Sequence, residues 1–144
     1  WMNKPGKVLT SKVTRQIFFH WVLVDIPANV TSIGEGEVSR GLVAHGKPQS
    51  PSAVGLPGIN TYTAAFASKP EMNGTYYGYD GPCPPWNDDV VHHYHFMVYA
   101  LSIPTLGLKP DFDGAAALAA MQGKILARGH EVGLYTTNPA ERPN

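Results

Sequence analysis

The stretch QIFFHWVLVDIP occupies residues 16–27 and decides the fold. Apolar, β-branched and aromatic side chains follow one another from Gln16 to Ile26, which predicts a strand that Pro27 ends. The run is apolar on both faces, as expected of a strand that is covered on both sides. His20 interrupts it, and burying an imidazole without partners costs about 1–3 kcal/mol. The pattern therefore predicts either a hydrogen-bonded core histidine or a functional one at this position.

A second strand is predicted from His92 to Leu101, where aromatic and β-branched residues are again dense. Because successive side chains of a strand alternate between its faces, His92 and Tyr94 share one face. His93 and His95 share the other face for the same reason. These two predicted strands are the longest runs of their kind, so we expect them to be neighbours in the core.

The rest of the chain predicts a long loop, one helix and a short last strand. Residues 28–70 contain many glycines and prolines, which indicates irregular structure. Residues 114–128 predict a helix, with Asp113 as N-cap and Gly129 as the stop signal. A strand at 132–137 follows. The predicted buried stripe of the helix consists of Leu118, Met121, Ile125 and Leu126.

Composition bounds the class of protein. The 144 residues suit one domain, and eleven basic residues balance eleven acidic ones. A net charge of zero argues against a broad nucleic-acid surface. The longest apolar run falls short of the roughly 20 residues of a membrane helix, and the first residues lack the apolar core of a signal peptide. Cys83 is the single cysteine, so we expect a cytoplasmic protein, while a periplasmic location stays open.

Three histidines close together on one strand raise the question of a metal site. His93 and His95 point to the same face and could chelate an ion as an alternating pair. Zinc usually takes three or four protein ligands, and no further ligand stands at the usual spacing. We therefore predict no metal and no cofactor. His92 and Tyr94 are interpreted instead as two directed donors for an anion.

The segment GPCPP at residues 81–85 is the most unusual local sequence. Its prolines fix the backbone and its glycine permits close approach, which suits a pocket rim, although a stiffened surface loop explains the same residues. Cys83 with His92 as base is the one conceivable hydrolase pair. The sequence has no serine elbow, no nucleotide phosphate loop and no dinucleotide fingerprint. We therefore predict a protein that is not an enzyme.

Taken together, these segments resemble the phosphatidylethanolamine-binding protein family, in its bacterial and archaeal, Raf-kinase-inhibitor-like branch. Residues 18–27 resemble the family's strand of pattern FxHWVxxIP. Residues 77–85, which read YGYDGPCPP, resemble its YxGPxPP signature. HHYHF at 92–96 stands where the family has HRYxF, and residues 119–127 resemble its closing helix, AxxGHxLA. The resemblance covers residues 18–139, in the family's order.

The resemblance implies a single domain over residues 1–144, mainly β, with antiparallel sheets packed as a sandwich and a C-terminal helix. It implies a non-enzymatic protein that binds phosphate or a phosphorylated lipid head group. The implied anion contacts are His20, His92 and Tyr94, with Gly81, Cys83 and Pro84 shaping the wall. A regulator that inhibits a kinase or protease is the alternative, and a hydrolase using Cys83 and His92 comes third.

The chain also departs from the family pattern. The family's Asp-Pro-Asp-x-Pro motif, one of whose aspartates lines the pocket, is expected just before Lys4 and is absent, as are the strands before it. His93 replaces the usual arginine, and Lys124 replaces a frequent histidine. We therefore expect an N-terminally incomplete domain. An open sheet edge would then pair with a second chain or with another copy of this one.

Overall fold

The computed structural model describes residues 16–39 and 43–142. The fold is mainly β, as the sequence predicts. Along the chain, the elements are β1 (Leu23–Val24), β2 (Leu56–Pro57), α1 (Tyr62–Phe66), β3 (His92–Leu101), α2 (Gly114–Met121), β4 (Ile125–Tyr135) and a single 3-10 turn (Pro139–Glu141). No helix in the described ranges has the length and apolar character needed to cross a membrane.

The strand predicted at 16–26 is reduced to two residues. β1 pairs with β2 in antiparallel register, Leu23 opposite Pro57 and Val24 opposite Leu56. Upstream of β1 the backbone groups bond to irregular partners. The Phe19 N–H donates to Thr61 Oγ1 (2.9 Å), and the Val22 carbonyl accepts from Gly58 (2.9 Å). These two backbone groups are therefore bonded without a regular ladder, because their partners belong to the loop at 28–70, which also contains α1.

The strand predicted at 92–101 is confirmed, but its neighbour is a different one. β3 pairs with β4, not with the segment that contains β1. Ser102 N–H donates to the Lys124 carbonyl (2.8 Å), and further back along β3 the ring of His95 contacts that of His130. Ser102 lies opposite Lys124, whereas His95, earlier in the chain, lies opposite the later residue His130. The two strands therefore run antiparallel. The prediction that the two long apolar runs are neighbouring strands was wrong.

The helix begins as predicted and ends seven residues early. Asp113 Oδ1 accepts from the Ala116 N–H (2.8 Å), which confirms the N-cap. The helix stops at Met121, and Gly123 follows with φ of 72°, a conformation that favours glycine. The predicted stripe is corrected accordingly: Met121 is buried, whereas Leu118 is 42% exposed and the next two stripe residues, Ile125 and Leu126, lie in β4. The last strand therefore starts at 125 rather than 132.

The described residues divide into two compact units, each considered by itself below. The first unit comprises residues 18–81 and 100–126, and the second comprises 16–17, 82–99 and 127–142. The first unit contains two apolar clusters. One is formed by Val22, Val24, Phe112 and Ala117, with Phe19, Leu56, Leu106 and Leu108 packed against it. The other is formed by Tyr62, Phe66 and Tyr76, with Phe18 and Met72.

Candidate functional site

In the second unit, the predicted anion contact His92 is anchored on a buried carboxylate. Asp88 is fully buried, and its Oδ2 lies 2.6 Å from Nε2 of His92. The Asp88 backbone is held as well, because its N–H donates to the Pro85 carbonyl (3.1 Å) and its carbonyl accepts from Asn138 Nδ2 (2.8 Å). Since a carboxylate accepts, Nε2 of His92 carries the hydrogen. Its other ring nitrogen hydrogen-bonds to no described residue.

Tyr94 lies beside His92, as strand alternation predicts. The two rings are nearly parallel, at 24°, with centroids 6.3 Å apart, and both side chains are half-buried. β3 fixes both residues on one face, so the phenol and the imidazole project together. This pair supplies two polar groups to one patch of the second unit.

The proline-rich segment is tied to the C-terminal part of the same unit. Pro84 is buried, and its carbonyl accepts from Thr137 Oγ1 (2.9 Å). Cys83, the residue before it, is exposed. The stiff backbone of this segment thus holds a thiol at the surface while the next residue packs inside.

In the first unit, His20 is bonded to the backbone of Asp80 in both directions. Its Nδ1 lies 2.9 Å from the Asp80 carbonyl oxygen, and the Asp80 N–H donates to the His20 carbonyl (3.1 Å). A carbonyl only accepts, so Nδ1 is the protonated nitrogen. The ring packs against Phe18 and Tyr62, with centroids 4.7 and 5.4 Å away. His20 is therefore a partnered histidine with a fixed tautomer.

The carboxylate of Asp80 is the centre of a buried polar network that sequence reasoning missed. Asn60 Nδ2 donates to Oδ2 (2.7 Å), and Lys47 Nζ pairs with Oδ1 (3.0 Å). Lys47 also donates to the Tyr79 carbonyl (3.0 Å). Asp80 and Asn60 are both buried. Because a buried charge requires a partner, this network holds the chain just before Gly81 in place.

Three tyrosines close together in the sequence, at positions 76, 77 and 79, have phenols with raised pKa values. Burial, reinforced by a hydrogen bond to Asp111, raises the pKa of Tyr77 to about 12. Burial also raises the pKa of Tyr76 and of Tyr79. These phenols therefore stay neutral at ordinary pH, and those of Tyr76 and Tyr77 donate hydrogen bonds to the Met72 carbonyl and to Asp111.

The six predicted site residues are divided between the units. His20 and Gly81 belong to the first, where the Gly81 carbonyl accepts from the Tyr62 hydroxyl (3.3 Å). Cys83, Pro84, His92 and Tyr94 belong to the second. Their convergence on one pocket stays a prediction. The anchoring residues Asp88 and Asp80 were not singled out from sequence, although Asp88 stands four positions before His92, a spacing that could have signalled the pair.

Comparison with known proteins bears on the class of this protein. Residues 7–136 match the family model described as phosphatidylethanolamine-binding protein. A UPF0098 protein of Aquifex aeolicus is 35% identical over 119 residues, covering 82% of this chain and 56% of the relative. A UPF0098 protein of Pyrococcus horikoshii is 38% identical over 118 residues, covering 82% of this chain and 49% of the relative. No solved structure matches the chain.

The fold places the chain among mainly β proteins, and the family that it matches supports a binding role in general. The chain belongs to the phosphatidylethanolamine-binding protein family, since the family match covers most of its length. It spans about half the length of these two relatives.

Proposed function

We propose that this domain is a non-enzymatic binding protein for a small anion, either phosphate or a phosphorylated head group. One observation carries the proposal: His92 is held by the fully buried Asp88, with Tyr94 packed beside it. A buried carboxylate that fixes an imidazole on a half-exposed patch is an arrangement for presenting the second ring nitrogen outward. The family name supplies the chemical class, a phosphorylated head group.

The protonation state of His92 follows from this geometry. With Nε2 donating to Asp88, neutral His92 has only a lone pair on Nδ1, which an anion without hydrogens would repel. Protonated His92 donates from both nitrogens, one to Asp88 and one to the anion. An anion is therefore bound by the imidazolium, with the Tyr94 hydroxyl as a second donor.

The test is calorimetric titration of the protein with inorganic phosphate and with phosphoethanolamine. His92→Ala and Tyr94→Phe are each expected to weaken binding about tenfold or more, since each removes a hydrogen bond to a charged group. His45→Ala is the control, because His45 is an exposed histidine whose ring, among the described residues, bonds only to the Asn73 carbonyl. Equal affinities in all four proteins would refute the anion site.

The absence of catalysis is part of the proposal. Cys83 is exposed and belongs to the same unit as His92, so a thiol nucleophile with His92 as base is the chemistry to exclude by measurement. We expect no Cys83-dependent hydrolysis of activated acyl or phosphoryl esters. If the protein hydrolyses such an ester and Cys83→Ser abolishes this activity, this part of the proposal is wrong and the hydrolase hypothesis is favoured.

A protein partner is the second candidate, and the surface of β3 and β4 favours it. Within the described part of the chain, these strands pair only with each other, and a two-stranded sheet is marginally stable alone. Their exposed large apolar side chains are Phe96, Met97, Val98, Ile125, Leu126, Val132, Leu134 and Tyr135. An apolar surface of this kind is typical of an interface, with a second chain or another copy of this one.

Native mass spectrometry with light scattering tests the partner proposal. We expect a complex or an oligomer. A monodisperse 15.6 kDa monomer that unfolds cooperatively would refute it. Titrating the same sample with phosphate tests the anion site separately, so that either proposal can fail without the other.

A further inference from the structure

Two exposed histidines on neighbouring strands of the second unit face one another. His95 lies on β3 and His130 on β4, and Nδ1 of the first is 2.8 Å from Nε2 of the second. The ring planes differ by 11°, and the centroids are 5.1 Å apart. The two ring centroids are farther apart than the two nitrogens by about the width of one imidazole ring. The rings therefore meet edge to edge rather than face to face. Both nitrogens therefore aim at the same point between the strands.

A contact between two ring nitrogens requires one of them to donate and the other to accept. A metal ion can take the place of the shared hydrogen if the donor moves its proton to its other ring nitrogen. Metal–imidazole bonds are about 2.0–2.1 Å long, so two at right angles put the nitrogens about 3 Å apart. The rings then have to turn toward the ion, while the nitrogen separation widens only slightly.

No other hydrogen bond in the described structure restrains this turn. Each side chain is exposed, and its contact with the other is the only hydrogen bond it makes. The paired strands meanwhile hold the two backbones in place. Ion binding thus requires a change of side-chain rotamer without a change of fold.

We propose that His95 and His130 form a surface site for one Cu²⁺ ion, with water molecules completing its coordination. Imidazole is a preferred ligand of copper, and Cu²⁺ binds nitrogen sites more tightly than the other divalent first-row ions. No group of three or more ligating His, Cys, Asp or Glu side chains occurs in the described ranges, so the site has two protein ligands. The proposal is independent of the anion site, whose residues it does not use.

The experiment is a Cu²⁺ titration in a weakly coordinating buffer, followed by calorimetry and electron paramagnetic resonance. Cys83→Ser is the background for every protein, because the exposed thiol would compete for copper. We expect one bound ion, nitrogen splitting from two imidazoles, and an affinity at least about tenfold lower in His95→Thr and in His130→Thr. Threonine suits a strand, so both variants should keep the fold, as circular dichroism would show.

The matched control is His93→Thr, because His93 is an exposed histidine on the same face of β3. It is expected to leave the copper affinity and the spectrum unchanged. Unaltered affinity in both His95→Thr and His130→Thr would overturn the proposal. So would an equal loss in His93→Thr, since the pair would then not be the site.

Discussion

The carboxylate of Asp88, which no solvent reaches, meets Nε2 of His92 at 2.6 Å. This contact joins a residue that the sequence marked as functional to one that it did not. Asp88→Asn keeps the shape of the side chain but removes its negative charge, so the imidazolium form of His92 loses its anionic partner. We expect a loss of about 1–3 kcal/mol in the free energy of unfolding, together with weaker sulfate binding.

Urea denaturation and sulfate titration at pH 6 would measure these two effects. Glu131→Gln is the control, because it removes an exposed carboxylate from β4. The anchoring role of Asp88 is wrong if both variants behave alike in both measurements.

Anion affinity is expected to depend on pH. Sulfate has no hydrogen to donate, so it requires imidazolium donors, and its affinity should fall as pH rises and imidazolium gives way to neutral imidazole. Sulfate is chosen because the second ionisation of phosphate occurs over the same neutral range and opposes the effect. Calorimetry between pH 5 and 8 measures the trend. A flat profile would show that histidines are not the contacts.

The buried carboxylate of Asp80 is expected to make Lys47 important for stability. Lys47→Met removes the cation 3.0 Å from Asp80 and leaves the carboxylate paired only with neutral donors. Removing one partner of a buried ion pair lowers the free energy of unfolding by about 3–5 kcal/mol. Because Lys47 is partly exposed, we expect a smaller loss of about 1–3 kcal/mol. The measurement is the midpoint of thermal unfolding. Lys109→Met, at an exposed lysine, should change it little.

A double variant separates charge from packing at the same place. If the cost of Lys47→Met comes from the uncompensated charge, adding Asp80→Asn should recover part of it. Additive losses would show instead that the lysine acts through its aliphatic stem or its bond to the Tyr79 carbonyl.

Stability should decline in strongly alkaline solution because of Tyr77. Its folded-state pKa is raised from 10.0 to about 12, so between these values the unfolded state loses the proton while the folded state keeps it. The stabilisation is therefore complete below pH 10 and is lost as pH rises toward 12. Tyr77→Phe should make the decline shallower in urea titrations, whereas Tyr135→Phe, at an exposed tyrosine, should not. If the free energy of unfolding falls with pH equally steeply in Tyr77→Phe and in the unmodified protein, Tyr77 is not the cause of the decline.

Gly46 is expected to tolerate no side chain. Its φ is 85°, and a Cβ there would overlap the carbonyl of Thr75. Gly107 has a φ of 61° with open space around it, so Gly107→Ala measures backbone strain alone, about 1 kcal/mol. Gly46→Ala should cost at least about 1–3 kcal/mol more, because main chain has to move. Calorimetric unfolding of both variants measures these losses of stability. Equal losses would mean that the backbone at Gly46 and the backbone at Thr75 can move apart at little cost.

The sequence by itself determined the family, the mainly β class, the bounds of β3 and the cap at Asp113. Each rests on local signals: alternating side chains, an N-cap residue before an alanine-rich run, and motifs in a fixed order. The helix end was missed because Ile125 and Leu126 continue the helical spacing, whereas Gly123 turns the chain so that these residues start β4.

Only the tertiary structure decided where polar groups find their partners. The segment at 16–26 has the composition of a long strand, yet Phe19 bonds to Thr61, 42 residues away, and only Leu23 and Val24 enter a ladder. Lys47 reaches Asp80 and His95 reaches His130 across similar distances in sequence. Periodicity reports which face a side chain occupies but not what lies opposite, because a hydrogen bond depends on the position of both partners.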